Sequence, residues 1–122
     1  MIIYPQESYD IIAAAIDVHK EFGCGLLEEI YQEAFEQELI LRKIPYEREK
    51  TLSLSYKGIP LKKTYRVDFV CYGKIIIELK AVEKLVSIHE AQILNYLNIT
   101  KFHLGILINF SEESLKYKRI VK

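Results

Sequence analysis

The N-terminal third of the chain carries a helical pattern of apolar positions with one interruption. Between residues 8 and 21 apolar side chains recur at the three-to-four-residue spacing of an amphipathic helix. Gly23-Cys24-Gly25 breaks this pattern, which resumes at Leu27 and stops before Pro45. The sequence therefore predicts a short helix, a glycine turn and a second amphipathic helix.

The middle of the chain changes to the two-residue alternation of β-strands. Residues 46–56 and 61–71 alternate apolar and polar side chains around Lys57-Gly58, which predicts an antiparallel hairpin. Tyr72-Gly73-Lys74 forms the next predicted turn. Residues 75–80 are nearly all apolar, as is typical of a strand that is buried on both faces of a sheet.

The remaining pattern predicts one more helix and one more strand. Ser87 is placed to cap a helix that runs to about Thr100, with Glu90 completing a capping box, and residues 102–110 follow as an apolar strand. When the two N-terminal helices are counted as one, the order is α-β-β-β-α-β. This order predicts an α/β (α+β) fold with a mixed central sheet flanked by helices, as a single domain over residues 1–122.

Composition restricts the classes of function. A chain of 122 residues is too short for a catalytic domain plus a separate recognition domain. The 17 basic and 17 acidic residues balance, so any binding of a polyanion depends on local patches. The basic C-terminal end is interpreted either as a solvated tail or as a set of phosphate contacts; it comprises Lys116, Lys118, Arg119 and Lys122.

Apolar runs and cysteines indicate an ordinary cytoplasmic protein. No apolar run is long enough to span a membrane, and the N-terminus lacks the pattern of a signal peptide. Cys24 and Cys71 have no metal-binding or disulfide spacing, so we expect both to be buried, reduced thiols. His19 and His103 are interpreted as structural residues.

Charged residues on the two inner strands are the candidates for chemistry. Alternation places Glu78 and Lys80 on one face of their strand, and Asp68 on the face of its strand opposite Val67 and Phe69. A three-residue turn would set Asp68 across from Glu78, close enough for two carboxylates to share a divalent ion. A two-residue turn would instead place them on opposite faces of the sheet.

Two interpretations of these charges remain open at this level. In the simpler one, Glu78 and Lys80 form a salt bridge and Asp68 pairs with Arg66, as ordinary surface pairs do. The alternative follows from the apolar runs that precede the charges, since an uncompensated buried carboxylate costs several kcal/mol and a metal ion would offset that cost. Mg²⁺ suits such a sparse site because it takes one or two carboxylates together with water and phosphate.

These segments resemble a known superfamily. Val67-Asp68-Phe69, then Ile77-Glu78-Leu79-Lys80, then Ala91-Gln92 in the following helix resemble the PD-(D/E)xK nuclease superfamily, with Val67 in place of the proline. Residues 25–31 match the G-x-x-E-x-x-Y signature of a small bacterial family in that superfamily, and residues 89–96 are also similar to that family.

The resemblance implies a restriction-endonuclease-like core and a Mg²⁺-dependent nuclease, with Mn²⁺ as a substitute ion. By this resemblance Asp68 and Glu78 are metal ligands assisted by Glu28, Lys80 is the catalytic lysine, and Gln92 orients the site. The expected substrate is a phosphodiester in nucleic acid, with DNA favoured over RNA, and pairing of two copies as a homodimer is expected by analogy. The alternative function is a catalytically inactive module that binds nucleic acid or protein on the same fold.

The helical residues also have simpler explanations. Glu28 lies in a first helical turn, where the helix dipole favours any acid. His89 and Gln92 are three residues apart, which suits a site lining or a solvated face. Tyr31 and Tyr96 lie on helical stripes with core residues, so packing is the first interpretation of both.

Overall fold

The protein is a mixed sheet with helices on both faces. The computed structural model describes residues 2–122, in which the elements are α1 Pro5–Phe22, α2 Glu28–Leu41, β1 Tyr46–Leu52, β2 Ser55–Tyr56, β3 Ile59–Pro60, β4 Tyr65–Cys71, β5 Ile75–Lys80, α3 Ser87–Thr100, β6 Leu104–Asn109 and β7 Lys116–Val121. The predicted mixed α/β architecture is confirmed.

The sheet has the strand order β1-β4-β5-β6-β7. β5 and β6 are parallel and α3 is the connection between them, whereas the other neighbouring strands are antiparallel. One core cluster joins α1 and α2 to one face of the sheet, and a second cluster joins α3 to the other face. β5 is thus covered on both sides, as its apolar sequence predicts.

Side chains of β5 alternate between the two clusters. Ile75, Ile77 and Leu79 pack with α1 and α2, and Ile76 packs on the α3 side. By the same alternation Glu78 lies on the α3 side, near the C-terminal end of the strand. The predicted sharing of faces along this strand is therefore confirmed.

α3 lies very close to the sheet at Gly105. A Cβ atom at this position would overlap Cγ2 of Ile93, a fully buried residue of α3. Because Gly105 on β6 has no side chain, α3 can pack this close to the sheet. The same contact sets the height of the α3 residues that lie near the end of β5.

The basic C-terminal end is a strand, so its interpretation as a tail is wrong. β7 pairs antiparallel with β6 from Lys116↔Asn109 to Val121↔Leu104. Lys118 forms a 2.8 Å salt bridge with Glu90 of α3, and Arg119 Nε donates a hydrogen bond to Ser8 Oγ of α1. The exposed basic residues made this strand difficult to recognise in the sequence. They are typical of a solvated tail and equally of an edge strand, where charged side chains prevent pairing with another chain.

The predicted hairpin is divided into two ladders. β1 pairs with β4 from Tyr46↔Cys71 to Leu52↔Tyr65, and the chain between them forms the short β2–β3 ladder around Lys57-Gly58. Both turn residues have positive φ, as expected of a tight hairpin turn.

Two local predictions need correction. The last long helix begins at Ser87, so Ser87 cannot cap it; Val86 precedes the helix, and its N–H donates to His89 Nδ1. Cys24 is exposed, because it lies in the loop between α1 and α2. Cys71 is buried as predicted, and burial raises the pKa of its thiol to about 12.

Within residues 2–122 no helix combines the length and the hydropathy needed to cross a membrane.

Candidate active site

The turn between β4 and β5 contains three residues, Tyr72 to Lys74. Cys71 pairs with Ile75, and the register continues to Phe69↔Ile77. Continued by one step, this register brings Asp68 opposite Glu78. The three-residue turn on which the two-carboxylate hypothesis depends is confirmed.

The β4–β5 ladder stops where the two carboxylates begin. Beyond Phe69↔Ile77, Oδ2 of Asp68 accepts a 2.8 Å hydrogen bond from the N–H of Leu79, and the N–H of Asp68 donates a 3.3 Å bond to Oε1 of Glu78. Where the ladder ends, the side-chain oxygens of the two acids therefore accept main-chain N–H groups of the facing strand. Assigned strand pairing ends at this level, and the end of the β4–β5 pair that carries Asp68, Glu78 and Lys80 is here named the fork.

The strict alternation predicted for β4 breaks at Asp68. Val67 and Phe69 are predicted to share a face, but Phe69 belongs to the cluster under α1 and α2, whereas Val67 packs on the α3 side. Glu49, which the β1–β4 register places across from Asp68, has a φ of +55° in the middle of β1. At this level the side chains of both strands shift from one face of the sheet to the other. Two-residue alternation in the sequence does not reveal this local twist.

Glu78 is a buried acid next to another acid. It is 5% exposed, and burial followed by the negative charge of Asp68 raises its pKa to about 9, against the opposing effect of Lys80. Among the described residues, Glu78 forms no ion pair with Lys80, and Asp68 forms none with Arg66. Nη1 of Arg66 instead lies 3.9 Å from Oε2 of Glu49. The simple salt-bridge interpretation is therefore wrong, and Glu78 lacks a paired cation at this end of β5.

Lys80 and Gln92 meet across the gap between β5 and α3. Lys80 Nζ lies 3.5 Å from Oε1 of Gln92, the outer limit of a hydrogen bond. Tyr96, one turn further along α3, is buried beside the carboxylates: burial, then the charges of Glu78 and Asp68, raise the pKa of its hydroxyl to about 12. Packing alone does not describe this tyrosine, since the charges of the two carboxylates act on its hydroxyl.

Glu28 approaches the site from the other face of the sheet. It is the first residue of α2 and is half-buried. Burial and then the charge of Asp68 raise its pKa, whereas Lys80 and a hydrogen bond from the backbone of Ala81 lower it. The charges of Asp68 and Lys80 thus both affect the pKa of Glu28, in opposite directions.

Tyr31 fixes the position of the N-terminal end of α2, where Glu28 lies. Its hydroxyl donates a 2.6 Å bond to the carbonyl of Gly23 and accepts a 3.2 Å bond from the N–H of Leu26. Its ring stacks on Phe110 with centroids 4.6 Å apart. The tyrosine therefore ties the glycine turn to the core and fixes where α2 starts.

Asn109 is a supporting residue that the sequence analysis missed. It is fully buried at the end of β6, paired with Lys80 in the ladder. Its amide accepts from the N–H of Val82 and donates to the carbonyl of Val82 and to Glu112. It holds the loop that leaves β5 after Lys80; the available signal was an amide at the end of an otherwise apolar run.

Each of the three histidines forms a hydrogen bond with a backbone group. His19 and His103 each bond a backbone carbonyl, of Glu112 and Lys122 respectively, as expected of structural residues. His89 accepts the N–H of Val86 at the start of α3.

The donor set fits a hard divalent cation that keeps part of its hydration. In the part of the chain that the structure describes, no three Asp, Glu, His or Cys side chains form a group that could ligate a metal. Asp68 and Glu78 are a pair of carboxylates, and Mg²⁺ needs no more than one or two carboxylates when water and phosphate complete its coordination. A calcium cage or a closed zinc site would need more ligands.

Comparisons with known proteins place the fold. The crystal structure of SSO0001 is similar, with a TM-score of 0.61 and 23% sequence identity over 77% of this chain, and the match covers 49% of the SSO0001 chain. This chain thus spans about half the length of that protein, and at this identity the likeness concerns the fold alone. No curated protein matches the sequence.

A family model described as the PD-(D/E)XK nuclease superfamily matches residues 5–120. The matched range contains all three helices and every strand of the sheet except Val121, the last residue of β7. The restriction-endonuclease-like architecture predicted from the sequence is confirmed, while assignment to the smaller G-x-x-E-x-x-Y family stays a prediction. The chain belongs to the PD-(D/E)XK nuclease superfamily.

Proposed function

We propose that the chain is a Mg²⁺-dependent nuclease that hydrolyses phosphodiester bonds, with DNA as the first substrate to test. The observation that carries this proposal is the fork between β4 and β5, where Asp68 and Glu78 lie together beside Lys80. An acid that is 5% exposed next to a second acid is costly for the fold, and a bound cation would remove that cost.

Asp68 and Glu78 would hold the ion. Glu28, at the start of α2, would assist through its charge and not as a third ligand, since within residues 2–122 no third acid completes a ligand group. A divalent cation bound here supplies Lewis-acid stabilisation of the negative charge that builds on a phosphate under attack. Mn²⁺ is the expected substitute, because it also prefers carboxylate, carbonyl and water oxygens.

Lys80 contributes a compact positive charge at the mouth of the fork. In hydrolysis the oxygen of water forms a bond to phosphorus, the bond to the leaving oxygen breaks, and a proton reaches that oxygen. The Lys80 ammonium would stabilise the negative charge on the phosphoryl oxygens during this exchange. Gln92 holds the lysine toward the fork through its amide oxygen.

An inactive binding module is the second candidate. It is favoured by the absence, within residues 2–122, of a third side chain that completes a metal-ligand group with Asp68 and Glu78. Such a module would retain the fold and dock nucleic acid or a protein without turnover.

Manganese binding tests the site without a substrate. Titration by calorimetry should show one site per chain in the wild type and loss of binding in Glu78→Gln and Asp68→Asn. Glu83→Gln is the matched control, since Glu83 is an exposed acid in the loop that follows β5. No binding at millimolar manganese, with oligonucleotide present, would sink the metal-dependent nuclease.

Cleavage separates the two candidates. Single-stranded and duplex DNA should be cut with Mg²⁺ and left intact with EDTA, and Lys80→Gln should lower the rate by on the order of 100-fold or more, the usual effect of removing one preorganised electrostatic contact. Lys84→Gln should cleave normally, because Lys84 is exposed. Metal binding with no cleavage of any nucleic acid would favour the inactive module.

A further inference from the structure

Positive charge is concentrated in one segment of a chain whose total formal charge is zero. Residues 50–67 contain no Asp or Glu, and the basic residues in this range are Lys50, Lys57, Lys62, Lys63 and Arg66. Because the whole chain has a formal charge of zero, the rest of the molecule carries a net excess of acid. Lys50 and Arg66 pair with Glu47 and Glu49. The positive charge that is left without a paired acid among the described residues is that of Lys57, Lys62 and Lys63.

Most of this segment projects from the sheet as a hairpin. Residues 53–64, here named the hairpin arm, include the β2–β3 ladder, which the Leu61 N–H extends by bonding to the carbonyl of Leu54. All of the arm except Leu54 is exposed. Tyr56 is 61% exposed at its tip, with Lys57 Nζ 5.4 Å from its ring centre.

The arm leaves the sheet at the end that holds the carboxylates. Leu52, the last residue of β1, pairs with Tyr65, the first residue of β4, so the base of the arm lies at this pair. Asp68 follows Tyr65 by three residues on the same strand. The base of the arm and the two carboxylates therefore lie at the same end of the sheet.

A cleft links the base of the arm to Lys80. Its volume is about 410 Å³, and its lining residues are Tyr65, Ile88, His89, Ala91, Gln92, Asn95 and Tyr96. The rings of Tyr65 and Tyr96 meet edge to face, with centroids 5.7 Å apart. Gln92 belongs to both the cleft and the site, since its amide oxygen also lies 3.5 Å from Lys80 Nζ.

We propose that the hairpin arm and this cleft form a binding track for single-stranded nucleic acid. The inference rests on the proposed function, because it names the substrate form that the same site would receive. Phosphates lie against the lysines of the arm, and an unstacked base enters the cleft, with its face on Tyr65 and its edge within reach of the amides of Gln92 and Asn95.

The combination of groups favours a single strand over a duplex. Lysines alone would bind the phosphates of either form. Exposed tyrosines add a stacking surface that only unpaired bases can use, and amides offer donors and acceptors to the edge of a base. Tyr56 and Tyr65 lie among the basic residues of the segment, which is the arrangement expected of a single-strand track.

Binding in EDTA tests the track independently of cleavage. The probe is a fluorescein-labelled oligothymidylate of about 15 nucleotides, within the usual footprint of single-strand binders, measured by anisotropy against a duplex of equal length. The charge variant is Lys57→Gln/Lys62→Gln/Lys63→Gln. Its matched control, Lys43→Gln/Lys101→Gln/Lys122→Gln, removes three exposed lysines at the opposite end of the sheet.

The charge variant should bind the oligothymidylate about 10- to 100-fold more weakly and reduce the salt slope by about 2, as three lost phosphate contacts require. The control should bind as the wild type does. Equal losses in both variants, or none in either, would overturn the track.

The stacking contribution has its own variant. Tyr65→Leu keeps an apolar strand residue but removes the ring, and it should weaken binding of the single strand by about 5- to 100-fold with no effect on the duplex. Tyr9→Leu, at a 69% exposed tyrosine on α1, should change nothing. Equal affinity for duplex and single strand in the wild type, or no effect of Tyr65→Leu, would overturn the proposal for single strands.

The two proposals fail in different ways. Binding that depends on the arm, without any cleavage, would overturn the nuclease and support the track. Cleavage that is insensitive to the arm and to Tyr65 would support the nuclease and overturn the track.

Discussion

Oδ2 of Asp68 accepts a hydrogen bond from the N–H of Leu79 at 2.8 Å, so a site carboxylate also joins β4 to β5 where their ladder ends. The same side chain therefore has a structural contact and a proposed metal contact. Substitutions at Asp68 can separate these two contributions.

Asp68→Asn and Asp68→Ala should differ in stability. Both remove the repulsion toward Glu78, but only asparagine keeps an oxygen that can accept the Leu79 N–H. Alanine should lower the free energy of unfolding by about 1–3 kcal/mol relative to asparagine, the usual cost of a buried donor without a partner. Urea denaturation in EDTA measures the difference, and equal stability of the two variants would show that the contact contributes nothing.

Glu78 should make the metal-free fold less stable at alkaline pH. Its pKa is raised from 4.5 to about 9 in the folded protein, mainly by burial. Between pH 4.5 and about 9 the folded state therefore keeps a proton on Glu78 that the unfolded chain releases. The free energy of unfolding falls as the pH rises through this range, by on the order of a few kcal/mol.

Glu78→Gln should remove that pH dependence, because the amide does not titrate. Thermal unfolding in EDTA at pH 5, 7 and 8 compares the variant with the wild type and with Glu113→Gln, a change at an exposed acid. At pH 8 the melting temperature of Glu78→Gln should be higher than that of the wild type. At pH 5 this difference should disappear. Parallel pH profiles for all three proteins would contradict the prediction.

Tyr31→Phe should destabilise the turn that positions Glu28. The phenylalanine ring can retain the stacking on Phe110, but the bonds to the Gly23 carbonyl and the Leu26 N–H are lost. We expect a loss of about 1–3 kcal/mol of unfolding free energy. Tyr9→Phe on the surface of α1 is the control in the same denaturation experiment, and an equally small effect of both changes would refute the role assigned to Tyr31.

Gly105 and Ile93 should show strong energetic coupling. Gly105→Ala places a Cβ against Cγ2 of Ile93 and should cost about 1–3 kcal/mol through overpacking. Ile93→Ala alone should cost about 2–5 kcal/mol through the cavity it leaves. In the double variant the new methyl group occupies part of that cavity, so a double-mutant cycle should give a combined loss about 0.5–3 kcal/mol smaller than the sum. Additive losses would show that the contact does not limit the approach of α3.

Most of the fold follows from local patterns in the sequence. The helical spacing of α1 and α2 and the apolar run of β5 are repeated over enough residues to identify each element before any packing is known. β7 was missed because its basic residues resemble a solvated tail, and only pairing with β6 distinguishes the two. The Ser87 cap was misplaced by one residue, since the side chain that closes this terminus is His89.

The sequence by itself determined which residue types are available: two acids and a lysine on neighbouring strands, an acid opening α2 and a glutamine on α3. Only the tertiary structure decided that the β4–β5 ladder ends at Phe69↔Ile77, that the facing of β4 changes at Asp68, and that Tyr96 and Asn109 support the site. The physical reason is that alternation and capping depend on neighbours within a few residues, whereas burial, strand separation and the pKa of Glu78 depend on contacts between segments far apart in the chain.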